Sequence, residues 1–143
     1  MIEIAQIREV SEDDAAALVR LTTVLIGNVS DGTSEKINEM LKDRNVFLYA
    51  AKDDGAIIGI ASLYLFPKIG RITARLEDVV VDEKCRGQGI GEKLTRTIIE
   101  RARREGASSI YLTSQETRVA AHRLYEKVGF KKHETTTFKM SLG

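Results

Sequence analysis

Residues 76–91 read Leu76-Glu77-Asp78-Val79-Val80-Val81-Asp82-Glu83-Lys84-Cys85-Arg86-Gly87-Gln88-Gly89-Ile90-Gly91. A β-branched run enters a polar bend, the bend opens onto three closely spaced glycines, and a helical pattern follows at once. Glycine is a poor helix former, so this cluster at a helix start is not a choice of propensity. It makes sense where backbone N–H groups must come close to a ligand. The first turn of a helix presents N–H groups and the positive end of its dipole, a setting for anionic phosphate. The stretch therefore reads as a strand, a pyrophosphate-binding loop and a helix.

The kind of loop follows by elimination. A P-loop places Lys and then Ser or Thr directly after its last glycine, whereas Gly91 is followed by Glu92, Lys93 and Leu94. A dinucleotide fingerprint needs a third glycine three residues after the second, and that position holds Glu92. Taken alone, these residues leave open a glycine-rich helix entry with no ligand.

A second stretch bears on the first. Residues 118–130 read Arg-Val-Ala-Ala-His-Arg-Leu-Tyr-Glu-Lys-Val-Gly-Phe. The spacing Arg-x-x-Gly-x-Gly at Arg86–Gly91 resembles the acetyl-CoA-binding motif of the GNAT acetyltransferase superfamily. The ending Ala-x-x-Leu-Tyr-Glu-Lys-x-Gly-Phe is similar to the C-terminal helix motif of the same superfamily. The likeness covers the whole chain in layout and is specific over about 75–130.

Composition sets the outer bounds. The 143 residues suit one domain spanning 1–143, and 43% apolar with 30% charged residues is ordinary for a globular protein. Lys and Arg (22) nearly balance Asp and Glu (21), so no strong field favours nucleic acid or an anionic membrane. No apolar run has the length of a membrane span. Met1-Ile2-Glu3-Ile4 has no signal-peptide pattern, and Cys85 has no partner for an internal disulfide. These features lead us to expect a cytoplasmic protein.

Along the chain, Ile2, Ile4 and Ile7 predict a first strand. Ser11 caps an expected helix with acids in its first turn and Leu18, Leu21 and Leu25 at helical spacing, ending at Gly27. Residues 27–32 form an expected loop, and Thr33 or Ser34 caps a short second helix. Residues 47–52 and 56–66 predict a hairpin about Asp53-Asp54-Gly55, with Pro67 breaking the run. Residues 72–81, a helix over about 91–105, and a strand at 110–113 form a βαβ crossover with parallel strands. A fourth helix ends at Gly129, and residues 130–132 and 136–140 predict a closing antiparallel pair. The order β-α-α-β-β-β-α-β-α-β-β matches the GNAT fold: an α/β architecture of about four helices on a mixed sheet. The resemblance implies that its parallel strands splay apart.

The resemblance also implies acetyl-CoA as cosubstrate, with contacts at Val79, Val81, Arg86, Gly87, Gln88, Gly89, Ile90, Gly91 and Glu92. Acyl transfer to an amine needs a proton acceptor and a group that stabilises the departing thiolate. In the family the base often lies on the strand before the loop, at positions that here hold Arg75 and Glu77, which share a face. Glu77 is the expected base, directly or through water, unless it serves as an ion-pair partner of Arg75. Asp78 points the other way unless a bulge intervenes. Tyr125 matches the tyrosine that hydrogen-bonds the coenzyme A sulfur, and an ordinary phenol is protonated at neutral pH.

One position departs from the pattern. Many relatives carry Asn three residues before the alanine matching Ala121, and here Arg118 stands there. That puts a pantetheine contact in doubt, and Ser114 and Gln115 are candidate substitutes. His122 and His133 are too few for a metal site, so none is expected, and Cys85 lacks a histidine partner.

The function expected is an acetyl-CoA-dependent N-acetyltransferase acting by direct attack of a small-molecule primary amine. The run Leu76-Glu77-Asp78 resembles the corresponding strand of glucosamine-phosphate acetyltransferases and of many other members. Asp31, Glu35 and Glu39 weakly favour a cationic acceptor. A protein N-terminus or lysine is the alternative substrate, and a non-catalytic acetyl-CoA-binding sensor or assembly module is the alternative function. Relatives commonly dimerise, often through terminal strands, so a homodimer is also among the expectations.

Overall fold

The computed structural model describes residues 1–29 and 31–143 and forms two compact units, Met1–Thr113 and Ser114–Gly143. The loop expected over 27–32 includes Ser30, which lies outside the described residues.

In the first unit the order is β1 (Ile2–Ile7), α1 (Glu12–Ile26), α2 (Ser34–Leu41), β2 (Val46–Asp53), β3 (Ala56–Lys68), β4 (Arg71–Val81), a 3-10 turn at Glu83–Cys85, α3 (Ile90–Arg104) and β5 (Ser109–Tyr111). The strands make one five-stranded sheet in sequence order. Pairing is antiparallel from β1 to β4 and parallel between β4 and β5, as the crossover predicts.

Local chemistry fixes the element ends. Ser11 and Asp14 form a reciprocal capping box at α1, and the Thr33 side chain accepts from the Lys36 N–H at α2. Asp54 and Gly55, at φ +49 and +86, make the tight turn between β2 and β3.

Side-chain alternation sorts the core onto two faces of the sheet. Leu48, Ala50, Ile60 and Val80 share a buried cluster with Ala15, Leu18 and Leu21 of α1. Phe47 and Tyr49 have the other parity and meet α3: the Arg101 guanidinium lies 4.5 Å from the Phe47 ring centroid and donates to the Tyr49 hydroxyl at 3.4 Å. Gly59 is where α3 approaches the sheet. A Cβ there would stand 3.3 Å from both Ile90 Cγ2 and Leu94 Cδ1.

Two expectations are corrected. Pro67 does not end β3, which runs on to Lys68 with Pro67 in register with Ile72. The β2 ladder stops at Val46↔Tyr64, so Pro67 has β4 as its strand neighbour and sits where a missing N–H is tolerated. The closing pair at 130–132 and 136–140 is not formed: residues 130–143 contain no strand, and 131–143 are all exposed. Alternation alone does not make a strand without a ladder partner, and the described sheet ends at β5.

In the second unit, α4 (Val119–Val128) ends at Gly129, whose φ of +112 gives a left-handed cap. The Phe130 N–H returns to the Tyr125 carbonyl at 2.9 Å, and the two rings meet edge to face with centroids 5.9 Å apart.

Candidate active site

The site in the first unit is made by an irregularity in β4. Ile60 pairs with Val80 and Ser62 with Glu77, so Ala61 alone opposes both Asp78 and Val79. This is a β-bulge with two residues against one. Val80 and Glu77 are three residues apart and would face opposite sides of a regular strand. The bulge brings Glu77, together with Arg75 two residues before it, onto the side of Ser62 and Tyr64. Asp78 absorbs the distortion at φ +52, a left-handed conformation for a non-glycine residue inside a strand. The condition attached to Asp78 is thus met: a bulge intervenes, and Asp78 lines the same cavity as Glu77.

That cavity is open, about 320 Å³, and lined by Tyr64, Phe66, Arg75, Glu77 and Asp78. Arg75 Nε donates to Glu77 Oε1 at 2.9 Å, and its Nη2 donates to Thr113 Oγ1 at 3.4 Å. The ion-pair reading of Glu77 is therefore realised, within the cavity wall. The Asp78 carboxylate makes no hydrogen bond or ion pair among the described residues. Burial, and then the Glu77 charge, push its carboxyl above the usual carboxylate range. Tyr64 is pushed up by burial, then by Asp78 and Glu77, and its hydroxyl lies 3.8 Å from Met40 Sδ of α2.

The β4–β5 ladder runs only from Thr73↔Ser109 to Arg75↔Tyr111. Residues 76–81 have no β5 partner, in keeping with the expected splay of the parallel strands. The bulged acids sit where that pairing has stopped.

Beyond β4, Asp82 turns the chain. Its carboxylate accepts from the Lys84 N–H at 3.1 Å and from Arg20 of α1 at 3.0 Å. Gly87 and Gly89 have φ of +82 and +75, and a Cβ at either would meet nothing within 4 Å, so both stand against open space. Lys93 is the first N–H of α3 to bond inside the helix, to the Gly89 carbonyl at 3.1 Å. The preceding amides thus point out of the helix end, a geometry suited to a pyrophosphate arm. The Arg86 side chain is exposed, with Nε donating to the Val81 carbonyl at 3.3 Å. Ile90 and Val79 are buried, Val81 and Glu92 are half-buried, and Gln88 is exposed. Arg96 is paired with Glu92 at 3.0 Å, so its charge is already engaged.

In the second unit Tyr125 is buried, which pushes its phenol above the usual tyrosine value, while the nearby Arg118 charge acts in the opposite direction. Arg118 occupies the cap position of α4 without a capping side-chain bond. The Ser114 hydroxyl is buried with no hydrogen-bond partner among the described residues, an orphan polar atom of the kind a ligand satisfies. Cys85 is a free thiol, and no cluster of metal-ligating side chains occurs among the described residues.

Tyr64 and Phe66 escaped the sequence reading. Tyr64 and Phe66 follow Ser62 at strand spacing and so share the face of Glu77, but only the bulge reveals that this is the acid face.

The sequence places this chain in a known group. The Acetyltransferase (GNAT) family matches residues 12–130, and the chain belongs to that family. A glucosamine 6-phosphate N-acetyltransferase from Trypanosoma brucei brucei is 38% identical over 90 residues, 61% of this chain and 59% of that protein. The chain therefore spans less than two thirds of that relative. Among solved structures, an acetyltransferase from Trypanosoma brucei superposes with a TM-score of 0.79 at 29% identity, covering 99% of this chain and 100% of the other. A protein from Bacillus halodurans described as a transcriptional regulator superposes at 0.82 with 28% identity, over 98% and 100% of the two chains. No helix among the described residues is long and apolar enough to cross a membrane.

Proposed function

We propose that residues 1–143 act as one acetyl-CoA-dependent N-acetyltransferase domain, in which a primary amine of a small molecule attacks the thioester directly. The observation that carries this reading is the bulge in β4. It sets two carboxylates in an open cavity, at the end of the strand that leads into the glycine loop.

Each demand of the reaction has a candidate in the chain. The amides of 86–92, with the exposed Arg86, hold the anionic arm of acetyl-CoA. The acid pair Glu77–Asp78 draws the acceptor amine and takes its proton. Tyr125 remains protonated through neutrality and donates to the departing thiolate. The orphan Ser114 hydroxyl supplies a polar contact in place of the Asn that Arg118 replaces. A small acceptor is supported by the cavity's size and by the name of the trypanosomal relative, which acts on a sugar amine.

Calorimetry of acetyl-CoA with the wild type and Gly89→Glu, followed by thiol release with a panel of amines including glucosamine 6-phosphate, tests the reading. Binding lost in the variant and thiol release with an amine are the expected results. Binding without thiol release for small amines, but with release for peptide amines, would replace the acceptor class. No binding at all would sink the proposal.

A further inference from the structure

The cavity holds two adjacent carboxylates in unequal circumstances. Glu77 is tied to Arg75 at 2.9 Å, so its Oε1 is already engaged by the guanidinium. Asp78 has no such partner among the described residues and sits half-buried in the same wall. Its backbone is the anomaly. At φ +52 within β4 the conformation favours glycine, yet an acid is placed there. Strain of this kind persists where the surrounding structure enforces it, often at sites of chemistry.

We propose that Asp78, and not Glu77, is the proton acceptor for the attacking amine, while Glu77 and Arg75 form a fixed positioning pair. This rests on the acetyltransfer reading above. In the step, the amine lone pair forms the C–N bond at the thioester carbonyl carbon. The C–S bond breaks with its electron pair leaving on sulfur, and the ammonium proton passes to the Asp78 carboxylate and then to solvent. The groups facing Asp78 are Glu77 and Arg75 on β4 and Tyr64 on β3. Burial and then the Glu77 charge push its carboxyl above the usual carboxylate range, and no guanidinium competes for its oxygens among the described residues.

The division of labour is separable by substitution. Asp78→Asn keeps a residue that tolerates the left-handed backbone, and Asp78→Gly removes the strain altogether. Both delete the carboxylate, so a shared defect cannot come from backbone fit. With acetyl-CoA and an accepted amine, both variants should lose about 10²–10⁴-fold in kcat. They should retain acetyl-CoA affinity by calorimetry and lose the acid limb of the kcat–pH profile. Glu77→Gln should keep that limb and raise the amine KM. Either Asp78 variant within about threefold of the wild-type kcat, or an acid limb lost in Glu77→Gln instead, overturns the assignment. A wild type that releases no thiol with any amine defeats the acetyltransfer reading itself. The assignment rests on that reading and falls with it, whereas a wild type that releases thiol while either Asp78 variant keeps its rate overturns the assignment alone.

Discussion

Arg75 and Glu77 lie two residues apart on β4 and join through Arg75 Nε and Glu77 Oε1 at 2.9 Å, at the edge of the cavity. The pair is 36% and 39% exposed, so water screens much of its attraction. Arg75→Met should therefore change folding stability by less than about 1 kcal/mol. Its effect should appear instead in a raised KM for the amine. Urea denaturation beside steady-state kinetics checks both halves, and a large stability loss with unchanged KM would contradict the positioning role.

Tyr125 should act as an acid. Burial raises its pKa, so the phenol stays protonated below the ordinary tyrosine value of about 10. A rate that needs this proton is sustained through neutrality and falls as pH rises past the raised pKa. Tyr125→Phe should keep acetyl-CoA affinity, lower kcat, and abolish that alkaline fall. Calorimetry and a kcat–pH profile of both proteins make the comparison.

Asp82 couples α1 to the entry of the glycine loop. The Lys84 N–H first, and then Arg20, hold its carboxyl below the usual range. A depressed folded-state pKa adds stability above the unfolded value of about 3.9, and that stability is lost as pH falls through the folded value. Asp82→Asn should thus lower Tm near neutrality, with the gap to wild type closing in acid. A gap that widens in acid would reverse the sign of the argument.

Leu94 anchors α3 to the sheet and is fully buried. Leu94→Ala leaves a cavity beneath the helix that carries the glycine loop, and should cost about 2–5 kcal/mol. Thermal unfolding should show the loss, and acetyl-CoA binding should protect the variant by mass action.

Much of this protein was legible in the residues themselves. Caps, hairpin glycines and 3.6-residue spacing are local signals, and Ser11, Thr33, Asp54-Gly55 and Gly129 fall where those signals place them. The glycine loop and the Leu-Tyr-Glu-Lys-x-Gly-Phe ending marked the family, because close backbone approach and a helix stop demand particular residue types.

What required the tertiary structure is pairing. Whether Pro67 ends a strand depends on which neighbours β3 still has at that point, and a free edge accepts it. Whether residues 136–140 form a strand depends on a partner ladder, which alternation cannot supply. The acid pair shows the same limit most clearly. Strand alternation alone would turn Glu77 away from Val80, and only the register of β3 against β4 reveals the bulge that sets Glu77 and Asp78 in one cavity. Local sequence fixes what each segment prefers to be, whereas register is a relation between segments, set by the packing of both.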